Sequence, residues 1–399
     1  MWFKRELRET LARLVDTRPV VVVTGPRQAG KTSLVRRAFP GYRYVSLDLP
    51  TLAAQAEDAP AEFLHRHPPP LIVDEVQYAP GLFRHLKREV DARRSRNGQF
   101  VLTGSQKFNL LQGVSDSLAG RTAILELEPL SCREILRGKP RVGLDDLLLR
   151  GGFPELQAVD GLRADEYFAA YVATYLERDL RSQLNVGNLR DFDRFLRACA
   201  LRSGQLLNKS ELARDIGISP TTANTWLSVL EASNQVVLLE PWFNNATRSM
   251  TKGPKLYLAD TGLLCFLIDI LSVDELHRSP LRGAIWETFV LIELRKRWRR
   301  ARPAGRVHFW RDRQGEVDFL LHQGGRFQAL EAKWSEHPSP RDGKGFERLE
   351  RFLGAAALIS RNIVCRTTEP FPIVAGLGAM GIHDAWFEGD QGADERRRD

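Results

Sequence analysis

The chain has 4 cysteines in 399 residues, and no two of them are close: Cys132, Cys199, Cys265 and Cys365 form no C-x-x-C pair. That spacing suggests neither a zinc site nor a disulfide framework. Long apolar runs are missing too, so no segment reads as a bilayer-spanning helix and no membrane partner is expected. The opening residues, Met1-Trp2-Phe3-Lys4-Arg5-Glu6, carry charge where a secretory leader would be apolar. They read as a charged amphipathic helix, and a cytoplasmic location is the expectation. An acidic excess is also absent: 58 Lys and Arg face 50 Asp and Glu, giving a net charge of +8 and a pI near 9.4. This balance permits a polyanionic partner without requiring one. At this length two or three domains can each bury a core.

What the chain does have is a glycine-rich turn between a strand and a helix. Val20-Val21-Val22-Val23 reads as a short buried strand, and Gly25-Pro26-Arg27-Gln28-Ala29-Gly30-Lys31-Thr32 follows as G-x-x-x-x-G-K-T, before Ser33-Leu34-Val35 opens a helix. Backbone N–H groups between Gly25 and Ser33, Pro26 having none, would cradle phosphate oxygens at the positive end of that helix. Gly25 and Gly30 let the backbone approach without a Cβ in the way. Lys31 would reach the β- and γ-phosphates, and the Thr32 hydroxyl would hold Mg²⁺. The expected ligand is a nucleoside triphosphate.

A second strand, Leu71-Ile72-Val73-Asp74-Glu75, follows the breaker Pro68-Pro69-Pro70 and ends in two carboxylates. Asp74 would serve the Mg²⁺ shell, and Glu75 would polarise an attacking water. A third strand, Phe100-Val101-Leu102-Thr103, ends at Gly104-Ser105-Gln106, and Ser105 is the residue expected to sense the γ-phosphate. Strands alternate with helical stretches, such as 80–93, which predicts an α/β architecture with a parallel sheet and helices on both faces.

The blocks GPRQAGKT, LIVDEVQ, FVLTGSQ and Ser117-Leu118-Ala119-Gly120-Arg121 resemble those of AAA+ type P-loop ATPases in which an AAA_14 domain is followed by DUF4143. The resemblance covers nearly the whole chain and implies ATP binding and hydrolysis. Arg121 fills the place of the family's L-A-G-R segment, as an arginine finger or sensor, or as the partner of a core carboxylate. Acting in trans, it would place the site between subunits of a homo-oligomer.

Residues 163–202 read as helical and aromatic, a lid after the ATPase core. Asn208 to Leu227 then gives a helix, a turn at Gly217, and a second helix capped by Ser219 with Pro220 at its first position. Strand-like runs at Val236-Val237-Leu238-Leu239 and Lys255-Leu256-Tyr257-Leu258 complete a winged helix-turn-helix. Its second helix offers Thr221, Thr222, Asn224, Thr225 and Ser228, polar and uncharged, which is poor material for base reading. Two uses stay open. One is contact with DNA mainly through its backbone, by Lys209, Arg248, Lys252 and Lys255; the other is packing or oligomer contact.

Downstream, Gly315-Glu316-Val317-Asp318-Phe319-Leu320-Leu321 alternates as a strand, with Val317, Phe319 and Leu321 on one face. A turn at Gly324-Gly325 leads to a strand in which Glu331 and Lys333 share a face. A hairpin would gather Asp318, Glu331 and Lys333. Upstream, Glu287 lies in the apolar stripe of Val290, Leu291, Leu294 and Trp298, where a carboxylate is costly unless paired, and a metal would pair it. The order Glu287, Asp318, Glu331-x-Lys333 resembles the PD-(D/E)XK restriction-endonuclease-like fold. That resemblance implies acids binding Mg²⁺ and Lys333 activating water. The other reading is an inactive relic held by ion pairs. The basic run Arg295-Lys296-Arg297-Trp298-Arg299-Arg300-Ala301-Arg302 is by default a solvated face, and beside such a pocket it could hold a phosphate backbone, with Arg311 and Arg313.

Three parts are expected: an ATPase core over 1–150, a helical and winged-helix middle over 151–278, and a nuclease-like domain over 279–399. The expected activity is Mg²⁺-dependent ATP hydrolysis coupled to DNA binding or remodelling, with cleavage by the last domain as an addition. The alternatives are a DNA motor whose last domain only grips, and a nucleotide-dependent protein-binding switch.

Overall fold

The computed structural model describes residues 1–105, 117–176, 189–243, 253–301 and 306–382. Gln106, Arg248, Lys252, Arg302 and the tail from 383 lie outside these residues. The chain divides into two compact units, one of Met1–Leu130 with Phe153–Val159 and Leu230–Gln235, the other of the remainder. Among the described residues no helix is long and apolar enough to cross a membrane.

The first unit is built on five parallel strands in the order β2-β3-β4-β1-β5. They are β1 (Val20–Thr24), β2 (Arg43–Ser46), β3 (Leu71–Asp74), β4 (Phe100–Gly104) and β5 (Thr122–Glu126). Helix α1 (Arg8–Thr17) precedes β1, α2 (Lys31–Ala38) follows it, and α3 (Leu82–Ala92) follows β3. Alternation along β1 splits two cores: Val20 and Val22 join Leu71, Val73 and Leu102 on one face, while Val21 and Val23 join Ile72, Val101 and α2 on the other. The opening helix starts only at Arg8; ahead of it the chain is irregular, with Phe3 and Arg5 buried. The first continuous stretch of this unit ends at Leu130, and residues 131–152 belong to the second unit. The helix from Cys132 instead donates the Cys132 N–H to Glu293 at 2.9 Å, inside the second unit.

The second unit opens its winged helix with α4 (Leu189–Leu201), β6 (Gln205–Leu206), α5 (Lys209–Ile216) and α6 (Pro220–Ala232). Strands β7 (Val236–Leu239) and β8 (Lys255–Leu258) follow, and the sheet order is β6-β8-β7. Gly217 ends α5 in the left-handed region (φ 83°), and Ser219 accepts the Thr222 N–H at 3.0 Å. Trp226 packs edge-on against Phe192 and Phe195 of α4. This is the winged arrangement expected, with β6 as an added strand.

Helix α7 (Arg282–Ala301) leads into a six-stranded sheet, β13-β14-β12-β11-β10-β9. Its strands are β9 (Arg306–Arg311), β10 (Glu316–Gln323), β11 (Arg326–Ala332), β12 (Leu358–Val364), β13 (Phe371–Val374) and β14 (Leu377–Met380), with α8 (Lys344–Leu353) before β12. Gly324 and Gly325 both have positive φ and close the β10–β11 hairpin. The alternation expected along β10 does not hold. Its register against β9 shifts between Val317 and Leu320, so these two, three apart, share the core with Phe346 and Leu349. The Trp286 indole donates to the Val364 carbonyl at 3.0 Å, seating α7 on this sheet.

Candidate functional site

The glycine-rich turn forms at the C-terminal tip of β1. A Cβ on Gly25 would lie 2.0 Å from the Leu127 carbonyl oxygen, and Gly30 takes φ 88° as the residue before α2, so both positions require glycine. Gln28 also has positive φ, and Pro26 and Ala29 are buried beneath the turn. Arg27 reaches the Tyr78 hydroxyl at 3.2 Å, and Ser33 is exposed on the first turn of α2. Lys31 is 5% exposed and donates to the carbonyls of Gly25 (3.0 Å) and Pro26 (2.9 Å). Burial pushes its ammonium down to about 8 against the pull of Glu75 and Asp74. A lysine held by neutral carbonyls beside a nest of backbone N–H groups is arranged to receive an anion.

Asp74, at the tip of β3, accepts from Thr32 at 2.8 Å, from the Tyr44 hydroxyl at 2.8 Å, and from Thr103. Burial and the bond to Asp74 push the Tyr44 phenol up to about 12, so it stays a donor. A hydroxyl and a carboxylate in contact beside a phosphate loop are the pair that suits Mg²⁺. Glu75 takes φ 53°, and its carboxylate accepts from Ser105 at 3.2 Å and from Gln77. The structure thus brings Lys31, Thr32, Asp74, Glu75 and Ser105 together at the C-terminal ends of the central strands. Thr103, Tyr44 and Gln77 escaped the sequence reading as site residues, although Thr103 is near the end of β4 and Gln77 just past β3.

Arg5 escaped it with no local signal at all. Its guanidinium donates to the Ala29 carbonyl at 2.7 Å and to the Glu128 carbonyl at 2.5 Å, and so ties the phosphate loop to the segment after β5. Arg121 makes a two-pronged pair with Asp91 of α3, at 2.7 and 3.1 Å. That carboxylate lies at the surface, not in the core, and Arg121 would have to leave it to serve a neighbouring subunit.

In the second unit Asp318, Glu331 and Lys333 are gathered as the hairpin predicted, and Glu287 joins Asp318 around a further ammonium. Lys255 of β8 is 2.9 Å from Glu287 Oε1 and 3.6 Å from Asp318 Oδ1, and it also contacts Glu316. Its side chain is 4% exposed. Lys255 is therefore not a surface contact for DNA, and the partner that burial demands for Glu287 is this lysine with the Tyr257 hydroxyl (2.6 Å), where the sequence suggested a metal. Among the described residues no group of three or more His, Cys, Asp and Glu side chains is arranged to hold a metal ion.

Burial and the Asp318 charge push Glu287 up to about 7 and Glu331 well above the usual carboxylate range. Burial would also raise Asp318, but hydrogen bonding to Glu331 and the nearby Lys255 and Lys333 bring it below its ordinary value. Burial would lower both lysines; the surrounding carboxylates raise them instead. Lys333 contacts Glu331 at 3.2 Å, the ion pair anticipated for an inactive relic.

The other basic groups are largely engaged as well. Lys209 donates to Asn224 at 2.6 Å, while Thr225 and Ser228 bond back to their own helix. Lys296 pairs with buried Glu293 at 3.0 Å and Arg297 bonds the Ile382 carbonyl at 2.6 Å, so this stretch of the basic run is not a freely solvated face.

Comparison with known proteins marks three stretches of the chain. Residues 17–136 match the model for an AAA domain (AAA_14), residues 141–274 a domain of unknown function (DUF8612), and residues 282–384 another (DUF4143). Two curated mycobacterial proteins, the uncharacterized protein Rv2008c of Mycobacterium tuberculosis and Mb2031c of Mycobacterium bovis, are each 35% identical over 344 residues, covering 84% of this chain and 75% of theirs. Among solved structures, the Walker-type ATPase PABY2304 of Pyrococcus abyssi overlaps at 18% identity with a TM-score of 0.41, over 67% of this chain and 96% of that one. The Aeropyrum pernix ORC2 protein overlaps at 16% identity with a TM-score of 0.38, over 67% and 93%. Overlaps this loose carry no function across. The chain belongs to the family of proteins in which an AAA domain of the AAA_14 type is followed by a DUF4143 domain.

Proposed function

We propose that this chain is a Mg²⁺-dependent ATP hydrolase whose second unit engages DNA through the phosphate backbone. The observation that carries the catalytic part is buried Lys31, held by the uncharged Gly25 and Pro26 carbonyls beside the Thr32–Asp74 pair. On binding, the triphosphate would take Lys31 from the Gly25 and Pro26 carbonyls and restore its full charge. Thr32 and Asp74 would hold Mg²⁺, which neutralises charge on the β- and γ-oxygens. Glu75 would orient water once its carboxylate is released by Gln77, with Ser105 left to face the γ-phosphate. Arg121 would act in trans, in a homo-oligomer, after leaving Asp91. Four free, buried cysteines suit a reducing, cytoplasmic location.

The test is ATP turnover with Mg²⁺, with and without DNA, for the wild type, Lys31→Ala and Glu75→Gln. Turnover that both variants abolish and DNA stimulates supports the reading; wild-type levels in Lys31→Ala would sink it. A second reading, a nucleotide-dependent switch that binds a protein, is favoured by the uncharged and internally bonded surface of α6. It predicts slow turnover with no response to DNA.

A further inference from the structure

The restriction-endonuclease-like resemblance implies a divalent cation among Glu287, Asp318 and Glu331, and the residues present do not fit one. We infer that Lys255 is itself the cation of this centre, an ammonium built into the chain where a metal would bind, so that the centre as folded joins the wing to the nuclease-like sheet and does not cut DNA.

Three observations carry this. The first is convergence: carboxylates from α7 and from two positions of β10 meet on one nitrogen, at 2.9 Å for Glu287 and 3.6 Å for Asp318, with Glu316 in contact. The second is how Lys255 is held. It comes from the winged helix, on a strand paired on both sides: Lys255 lies opposite Leu206 of β6 and Leu239 of β7. Tyr257, two residues on and therefore on the same face, donates to the same Glu287 oxygen. The Phe309 ring of β9 lies 5.6 Å from the ammonium. A buried ammonium so enclosed cannot swing aside without leaving its partners unpaired.

The third is that the oxygens a metal would use are already engaged. Asp318 Oδ2 accepts the Ala332 N–H at 3.0 Å, Glu331 bonds Asp318 and Lys333, and Arg311 lies 3.4 Å from Glu316. Mg²⁺ and Mn²⁺ require about six oxygens at short range, many from water, and here a divalent ion would sit against a fixed positive charge.

This inference is independent of the ATPase reading, whose failure would appear in ATP turnover and not in the experiment that follows. Mn²⁺ binding to the full chain without nucleotide would be measured by titration calorimetry and by the electron paramagnetic resonance of free Mn²⁺, for wild type, Asp318→Asn, Lys255→Met and Lys255→Met/Asp318→Asn. Circular dichroism would verify that each folds. The expected result is a wild-type isotherm that Asp318→Asn leaves unchanged. Lys255→Met should gain one Mn²⁺, bound roughly tenfold or more tighter than by the wild type, and the double variant should lose it. Wild-type Mn²⁺ binding abolished by Asp318→Asn would overturn the inference, and this arm does not depend on Lys255→Met folding. A folded Lys255→Met that gains no Mn²⁺ would overturn it too. So would Mg²⁺-dependent cleavage of labelled DNA by the wild type that Lys333→Ala loses.

Discussion

Lys31 and Lys255 are both buried, at 5% and 3% exposure, and their surroundings push them in opposite directions. Lys31 is held by carbonyl oxygens, which solvate it partially and carry no net charge; burial wins, and the ammonium falls to about 8. Lys255 meets Glu287, Glu316 and Asp318; charge wins, and the ammonium rises above its ordinary value. On the proposed reading one lysine awaits an anion, and the other already has its own. Depth alone does not separate a binding lysine from a structural one; the formal charge of its neighbours does.

The largest expected effect falls on the satisfied lysine. Lys255→Met removes the shared cation of buried Asp318 and half-buried Glu287 and Glu316 and should lower unfolding stability by about 3–5 kcal/mol. Urea denaturation measures this, and adding Glu287→Gln should recover part of the loss. If Lys255→Met is as stable as the wild type, the contrast collapses. For the waiting lysine the cost is functional: Lys31→Ala should slow ATP turnover by about 10²–10³-fold while leaving the denaturation midpoint near that of the wild type.

The pH dependence sharpens the contrast by sign. Between about 8 and its ordinary value of 10.5, Lys31 binds fewer protons in the folded than in the unfolded chain, so its contribution to stability rises with pH across that window. Lys255, raised, contributes fully below its unfolded value and loses that contribution as pH climbs past it. If Lys31 binds the triphosphate as proposed, it must be charged to do so, and ATP affinity should fall as pH rises above about 8, by up to roughly tenfold per unit. Calorimetry in buffers of different ionisation enthalpy should record proton uptake near pH 9 that Lys31→Met abolishes. The smallest effects come from single hydrogen bonds. Tyr257→Phe should cost about 1.5–3 kcal/mol in stability, because a carboxylate loses a donor. Arg5→Ala should weaken ATP binding several-fold, read as a rise in KM larger than the fall in kcat.

The sequence made one of these lysines legible and hid the other. Lys31 stands in a contiguous motif whose strand, turn and helix are all local, so its neighbours are fixed by covalent connection. The hairpin that joins Asp318 to Glu331 was equally readable, because Gly324-Gly325 demands a tight turn and register follows. Lys255 was read as a surface cation for DNA because its burial depends on a contact with Glu287, 32 residues away in another module. No periodicity encodes such a pairing. The cost of burying Glu287 was visible from its apolar stripe; the identity of its partner was not. Along β10, strict alternation failed because the bulge near Asp318 shifts the faces, a backbone event without a glycine or proline to announce it.

Arg5 carries a consequence of another kind. Its bonds to Ala29 and Glu128 make the stretch ahead of α1 a strut beneath the phosphate loop. A proteolytic nick just after Arg5 would then loosen the nucleotide site mechanically while every residue of the G-x-x-x-x-G-K-T motif remained intact. A bulky fusion joined directly at Met1 would pull on the same strut.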